Sequence, residues 1–340
     1  MNKRSHFAII STATVVVCCC LTPAGKLQSL ENSKTVKAPF PNNADCKIIG
    51  VPENTRPDSN RNGKISIEGL LSDIPIDPCQ IQSLRPDIFN KGYFSVFDCL
   101  VQVCSKHNID IKYHFDRQLR CHVIDSIDNR KNWWYSAIYH GGGRPEEPIH
   151  RMDTHPYKDW MKIEVYQVTK ERIDQIYSAF GSEAKRLKSN KNEVIIPEVL
   201  IQTPNQNLKF TSVEVQPHRI RSDMFKPDVM TAADIMLSLA EKGKLSLDML
   251  WHGQFGRALV QGYYFTRFNE EQAHGRAGFT YSLGEKIDYP RGARRRRFGD
   301  NFFHMTTDIR VIVSPQYMHW QWTDLSRRNV RPSKRQQSCK

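Results

Sequence analysis

The sequence predicts an α+β protein of two tandem modules, each a small mixed sheet with one main helix, joined by a connecting helix. Two observations predict the modules. Residues 85–113 return without a gap 136 positions later as residues 221–249, with Arg85, Asp87, Phe89, Asp98 and Lys106 recurring as Arg221, Asp223, Phe225, Asp234 and Lys242. Most other pairs in this stretch keep their polar or apolar character, so the apolar phase is preserved and chance similarity is a poor explanation. A third observation places the join: Ile173, Ile176, Tyr177 and Phe180 follow helical spacing between the copies.

The elements follow in order. Lys3 and Arg4, an apolar run from Phe7 to Leu21, and Thr22-Pro23-Ala24 before Gly25 have the order of a signal peptide over residues 1–24. The run is about 15 residues, short of the roughly 20 that cross a bilayer. It implies a secreted, periplasmic or cell-envelope address, with a retained or lipidated leader as the alternative. Residues 25–62, rich in Ser, Asn, Pro and Lys, read as an exposed linker.

Module 1 is expected over 63–168. Lys64–Leu70 alternates like a strand, and Ser95 precedes a run whose apolar residues Val96, Phe97, Leu100, Val101 and Val103 share a helical face. Ser95 with Asp98, and Thr231 with Asp234 in the second copy, read as N-cap and capping-box pairs. An alternating strand follows each helix, Ile109–Tyr113 and Leu245–Met249. Next come Cys121–Ile127 and Ala258–Val260, then Trp133–Tyr139 and Gly278–Leu283. The last strands are expected at Met161–Val168 and Asp308–Val313. The connecting helix is placed at 169–193 with a break at Gly181, module 2 at 194–318, and a disordered basic tail at 319–340.

Charge is unevenly spread. Of the net +13, residues 290–340 carry most, because ten Arg and two Lys there face only Asp300, Asp308 and Asp324. The basicity therefore belongs to a loop and a tail, which argues against a nucleic-acid-binding domain surface. Past residue 24 the cysteines are Cys46, Cys79, Cys99, Cys104, Cys121 and Cys339. Their even number leaves both disulfides and buried free thiols open, and none forms a CxxC redox pair.

The helix start Ser95-Val-Phe-Asp98-Cys-Leu100, the strand end Ser126-Ile127 and the strand Trp133-Trp134-Tyr135 together resemble the β-grasp domain at the C-terminus of transcobalamin and intrinsic factor, and its exported bacterial relatives. The resemblance covers residues 64–168 and 194–315. It implies two tandem β-grasp modules and, in the vitamin carriers, one wall of a corrinoid site. The chain departs from the pattern where His140-Gly141-Gly142 replaces an Asn-Gly turn, and where Phe279, Tyr281 and Leu283-Gly284 stand in the second copy. It also has long loops before the last strands and no helical-barrel partner.

Three sites follow. Alternation along Trp133, Trp134, Tyr135 and Tyr139 sets one aromatic face toward the core and offers the other, with His140, Gly141 and Gly142, to a small ligand. The loop with His140, Glu146, Glu147, His150, Asp153 and His155 could supply metal ligands, chiefly His140, His150, Asp153 and His155, although no metalloenzyme spacing occurs. Arg297, Asp300 and His304 form a partly parallel set before the last strand of the second copy. Arg291 with Arg294, Arg295, Arg296 and Arg297 could hold an anionic polymer. No nucleophile elbow, phosphate loop or dinucleotide fingerprint is present, and the sequence leaves any cofactor unknown. The leading expectation is an exported, non-enzymatic binding protein for a small ligand or surface partner. A metal-assisted hydrolase and a polyanion-binding envelope protein are the alternatives.

Overall fold

A computed structural model describes residues 35–36, 46–141, 150–255, 258–275, 277–285 and 307–324. The architecture is mixed α+β, with many strands, few helices and several small sheets. In chain order come strands β1 (Thr35–Val36), β2 (Cys46–Ile49), β3 (Lys64–Ile67) and β4 (Leu71–Pro75), helix α1 (Val96–Lys106), then β5 (Ile111–Asp116), β6 (Cys121–Ile127), β7 (Trp133–Ile138) and β8 (Lys162–Gln167). Helix α2 (Lys170–Ser189) leads to β9 (Ile195–Gln202), β10 (Asn207–Glu214), α3 (Ala232–Glu241), β11 (Leu247–Phe255), β12 (Ala258–Phe268), β13 (Glu271–Gln272), β14 (Ala277–Gly284) and β15 (Tyr317–Asp324). No helix among the described residues is long and apolar enough to cross a membrane.

The repeat extends to topology. One four-stranded sheet has the order β4-β3-β8-β7 and another has β10-β9-β15-β14. In each, the first strand of an antiparallel hairpin lies parallel to the last strand, which pairs antiparallel with the strand before it. Each copy also has a hairpin after its helix, β5-β6 in the first and β11-β12 in the second.

Local chemistry starts the helices where the sequence predicts. Ser95 Oγ accepts from Asp98 N at 3.1 Å while Ser95 N donates to Asp98 Oδ2 at 2.7 Å, a reciprocal capping box. Thr231 N donates to Asp234 Oδ2 at 2.6 Å in the second copy. Helix α1 buries Val96, Phe97, Cys99, Leu100, Val103 and Cys104. Helix α3 is buried at every position from Ala232 to Ala240, so the second copy encloses its helix more completely. Helix α2 is continuous through Gly181, and it joins both cores by giving Ile173, Ile176 and Phe180 to the first and Leu187 to the second.

The copies meet through equivalent residues. Phe89 and Phe225 face each other as an antiparallel bridge, their rings 5.7 Å apart. Asn90 N donates to Met224 O at 2.9 Å, and Lys226 N donates to Ile88 O at 2.9 Å. Residue i touches the partner of j while j touches the partner of i, the signature of a local two-fold relation.

Two boundaries differ from expectation. Cys46–Ile49 lies in the stretch read as linker, yet it is a strand that pairs parallel with β11 and buries Cys46 and Ile48 in the second core. The last strand of the second sheet is Tyr317–Asp324, not Asp308–Val313, so residues 319–324 belong to the sheet and not to a tail. Asp308–Val313 contributes only one isolated bridge, Thr231 with Val311. Its apolar alternation serves packing in a loop, because Ile309 and Ile312 are buried there without a ladder.

Candidate functional site

Strand β7 does not offer an aromatic face. Trp133, Trp134, Tyr135, Ser136 and Ala137 are all buried. The Trp133 indole donates to Arg130 O at 2.7 Å. Trp134 packs beside Tyr177 and Phe180 of α2, which covers the side that the alternation left for solvent. The expected ligand face is therefore core on both sides, and Trp133, Trp134 and Tyr135 cannot stack a ligand there.

Polar chemistry gathers instead where the chain leaves β7. Tyr135 donates its hydroxyl proton to the His150 carbonyl at 3.0 Å and lies 2.9 Å from His155 Nδ1. A phenol has one proton to give, so Nδ1 of His155 must be the donor in that second contact. His155 Nε2 is then the acceptor, and Tyr139, 2.7 Å away, donates to it. The chain Tyr139 to His155 to Tyr135 to His150 O runs in one direction. Burial, followed by the charges of Arg310 and Lys158, lowers His155 to about 3 and keeps it neutral. Burial, then Arg310, also holds His150 well below the usual imidazole range. The two imidazoles stack at 4.8 Å, and His150 Nε2 has no hydrogen-bond partner among the described residues.

Lys158 adds a cation at the half-buried end of this chain. Its ammonium donates to the backbone carbonyls of Val260 and Gln261 and lies 5.2 Å from the Tyr139 ring centre. Burial lowers its pKa to about 7, against the opposing pull of Asp308. His140 rests 4.7 Å from the Trp160 ring, and its carbonyl accepts from Leu259 N at 3.1 Å. The turn after β7 therefore sits against the β11-β12 hairpin. Gly141 follows with φ +73°, a conformation that favours glycine. Gly142, Glu146 and Glu147 lie outside the described residues.

Of the four residues read as metal ligands, only His150 and His155 come together, stacked at 4.8 Å. His140 stands on Trp160, Asp153 accepts from Arg85 and His122, and both nitrogens of His155 are engaged by tyrosines. No group of three or more His, Cys, Asp or Glu among the described residues is arranged to hold a metal ion.

The repeated Arg-x-Asp has a structural role in each copy. Arg85 Nε and Nη2 donate to Asp87 at 2.9 and 2.7 Å, and Nη1 donates to Asp153 Oδ2 at 2.8 Å. Arg221 makes the same fork to Asp223, at 3.0 and 3.0 Å, and to Asp308 Oδ2 at 2.8 Å. Each guanidinium lies beside an equivalent ring, Phe115 at 5.3 Å and Trp251 at 5.2 Å. The counterpart of Asp153 is thus Asp308. The expected parallel with Arg297, Asp300 and His304 falls on residues outside the described ones, as do Arg291, Arg294, Arg295 and Arg296. Recurrence of Arg-x-Asp in both copies was the signal that could have marked these clamps from sequence.

Cys46, Cys79, Cys99, Cys104 and Cys121 are free thiols, all buried but Cys79. Burial raises Cys46, Cys104 and Cys121 to about 12, which makes them inert packing groups at neutral pH. Compared with protein-family models, curated proteins and solved structures, the chain gives no match.

Proposed function

We propose that the chain is an exported, non-enzymatic binding protein of two β-grasp modules, with its ligand held at the turn that leaves β7. The strand order, a hairpin whose first strand lies parallel to the last, supports the β-grasp reading in both copies. The observation that carries the binding reading is the one-way chain ending at Tyr139. Tyr135 and His155 hold each other in buried surroundings, and Tyr139 donates to His155 Nε2 at the half-buried end, with Lys158 Nζ 5.2 Å from its ring centre. A few convergent polar atoms in apolar surroundings, set before the ligand arrives, are what a small-molecule site requires. Such a site takes a ligand with a flat apolar body and polar edge groups, for which a corrinoid is the first probe.

Two measurements test this reading. Cyanocobalamin is titrated into the protein while Trp160, whose ring lies 4.7 Å from that of His140, reports by fluorescence and calorimetry reports the heat. Saturable binding, weakened about five- to tenfold by Tyr139→Phe through loss of one hydrogen bond, is expected. No heat and no fluorescence change at millimolar ligand overturns the corrinoid form. Native mass spectrometry of protein purified from expressing cells, with no small molecule retained, would then count against the binding reading. Export is tested by intact mass: a mature chain beginning at Gly25 is expected, and retention of Met1 overturns it.

A further inference from the structure

The local two-fold relation makes each copy a template for the other, and one edge that is filled in the second copy is open in the first among the described residues. Strand β11 carries β2 on its outer edge, in parallel register, with Cys46 opposite Leu247, Lys47 opposite Asp248, Ile48 opposite Met249 and Ile49 opposite Leu250. Cys46 and Ile48 point into the second core, while Lys47 is exposed beside the acidic position. Gly50 follows against Trp251, where a Cβ would stand 2.8 Å from the Trp251 Cβ, so only glycine fits. The equivalent strand in the first copy is β5, which among the described residues pairs with β6 alone. Ile111, Lys112, Tyr113, His114 and Phe115 there correspond to Leu247, Asp248, Met249, Leu250 and Trp251. Phe115 is 44% exposed on its Arg85 clamp, one of three large apolar side chains left open among the described residues.

We infer that the open edge of β5 is a strand-addition site for an extended segment of a partner protein with the pattern apolar, acidic, apolar, any residue, glycine. The register of β2 supplies the pattern. Apolar side chains opposite Ile111 and Tyr113 extend the first core as Cys46 and Ile48 extend the second. Asp248 is held by Arg267 of β12 in the second copy. Ser126 stands opposite Lys112 on β6, and the exposed Lys112 ammonium has only the half-exposed Asp110, at 3.4 Å, as an ion partner among the described residues. An acidic residue therefore fits opposite Lys112 where β2 has Lys47. Glycine falls opposite Phe115. Backbone hydrogen bonds of the added strand supply the affinity, and the alternate side chains supply the choice of partner. An open edge of this kind is a liability unless it is used or covered.

The test is a charge swap on two probes. A solubilised peptide containing Ile-Glu-Ile-Ile-Gly and its Ile-Lys-Ile-Ile-Gly counterpart are titrated by fluorescence anisotropy into the full chain and into Lys112→Glu. Lys112 is 60% exposed on its side chain, so this variant keeps the fold. The Glu probe is expected to bind the native chain about three- to fivefold more tightly than the Lys probe, the size of a cross-strand charge pair. The preference inverts in Lys112→Glu, and amide exchange slows at residues 111–115 when probe is added. Three outcomes overturn the inference: no slowing in β5 at millimolar probe, a preference that the swap leaves unchanged, or an edge already protected in a dimer, which would make a second copy of the chain its occupant. The edge is separate from the Tyr139 turn, so either can fail alone.

Discussion

The two arginine clamps are the same device at two depths. In the first copy the Asp87 side chain is 61% exposed and Arg85 is 9% exposed; in the second, Asp223 is 19% exposed and Arg221 is 1% exposed. The difference comes from the segment that follows β2. Thr55 Oγ1 donates to Asp223 Oδ2 at 2.6 Å, and Gln261 Nε2 donates to Asn54 O at 2.7 Å. No such strap lies over Asp87 among the described residues. A stretch whose composition reads as linker therefore converts one copy of a repeated ion cluster from accessible to sealed. Internal similarity predicts which groups meet, and it does not predict how much water they keep.

The comparison breaks most clearly if the clamps are opened. Arg221→Ala leaves Asp308, whose carboxyl burial already pushes upward in pKa, with the Tyr263 backbone N–H but no cation in contact, and takes the guanidinium from the largely buried Asp223. Breaking a buried pair in this way costs about 3–5 kcal/mol. Arg85→Ala should cost less, because Asp87 can rehydrate and Asp153 keeps His122 at 3.0 Å. Urea denaturation of both variants measures the gap. Equal losses would mean that the strap does not set the depth of the second clamp.

Acid sharpens a second asymmetry. His155 precedes Pro156, which bridges to Ser95, and Arg310 precedes Val311, which bridges to Thr231. The neutral imidazole of one copy is thus a guanidinium in the other. His155 falls from 6.5 unfolded to about 3 folded, so the unfolded chain takes up the proton first. Its contribution is complete above pH 6.5 and is lost as the pH falls toward 3. Between pH 6.5 and 4.5 the loss should reach about 2–3 kcal/mol, at roughly 1.4 kcal/mol per pH unit. His155→Gln should flatten this slope, and hydrogen exchange should show β7 and β8 opening before β14 and β15. A slope unchanged in His155→Gln assigns the acid sensitivity elsewhere.

These contrasts also mark what was legible in the sequence. The caps at Ser95 and Thr231, the helices after them and the connecting helix rest on local chemistry, and local chemistry is written in residue order. The β2 strand was not legible because Cys46-Lys-Ile-Ile49 is short and its partner, β11, is some 200 residues away. Strand β15, Tyr317-Met-His-Trp-Gln-Trp322, does alternate, but it runs directly into a basic tail whose composition masks it. The aromatic strand differs from expectation for a related reason: alternation tells which side chains share a face, and only packing tells that α2 covers the second face. The Tyr139, His155 and Tyr135 chain joins residues read separately as ligand and metal contacts. Their geometry depends on the turn at His140 and the loop at 150–156, which no periodicity encodes.

The smallest effect is expected where the copies match best. Ser95 and Thr231 are both buried, each bonds its own aspartate, and each aspartate also receives an outside backbone N–H, from Leu84 at 2.8 Å in Asp98 and from His218 at 2.7 Å in Asp234. Replacing either hydroxyl by Ser95→Ala or Thr231→Ala removes one cap and leaves that outside bond in place. Each should lose about 1 kcal/mol, measured by urea denaturation, and the two losses should agree within about half a kcal/mol, the usual scatter for independent sites. A larger loss for Thr231→Ala would show that the fuller enclosure of α3 reaches its cap, and the copies would then differ in scaffold as well as in covering. Equal losses confine the difference to the strap over the second clamp and the open edge of β5.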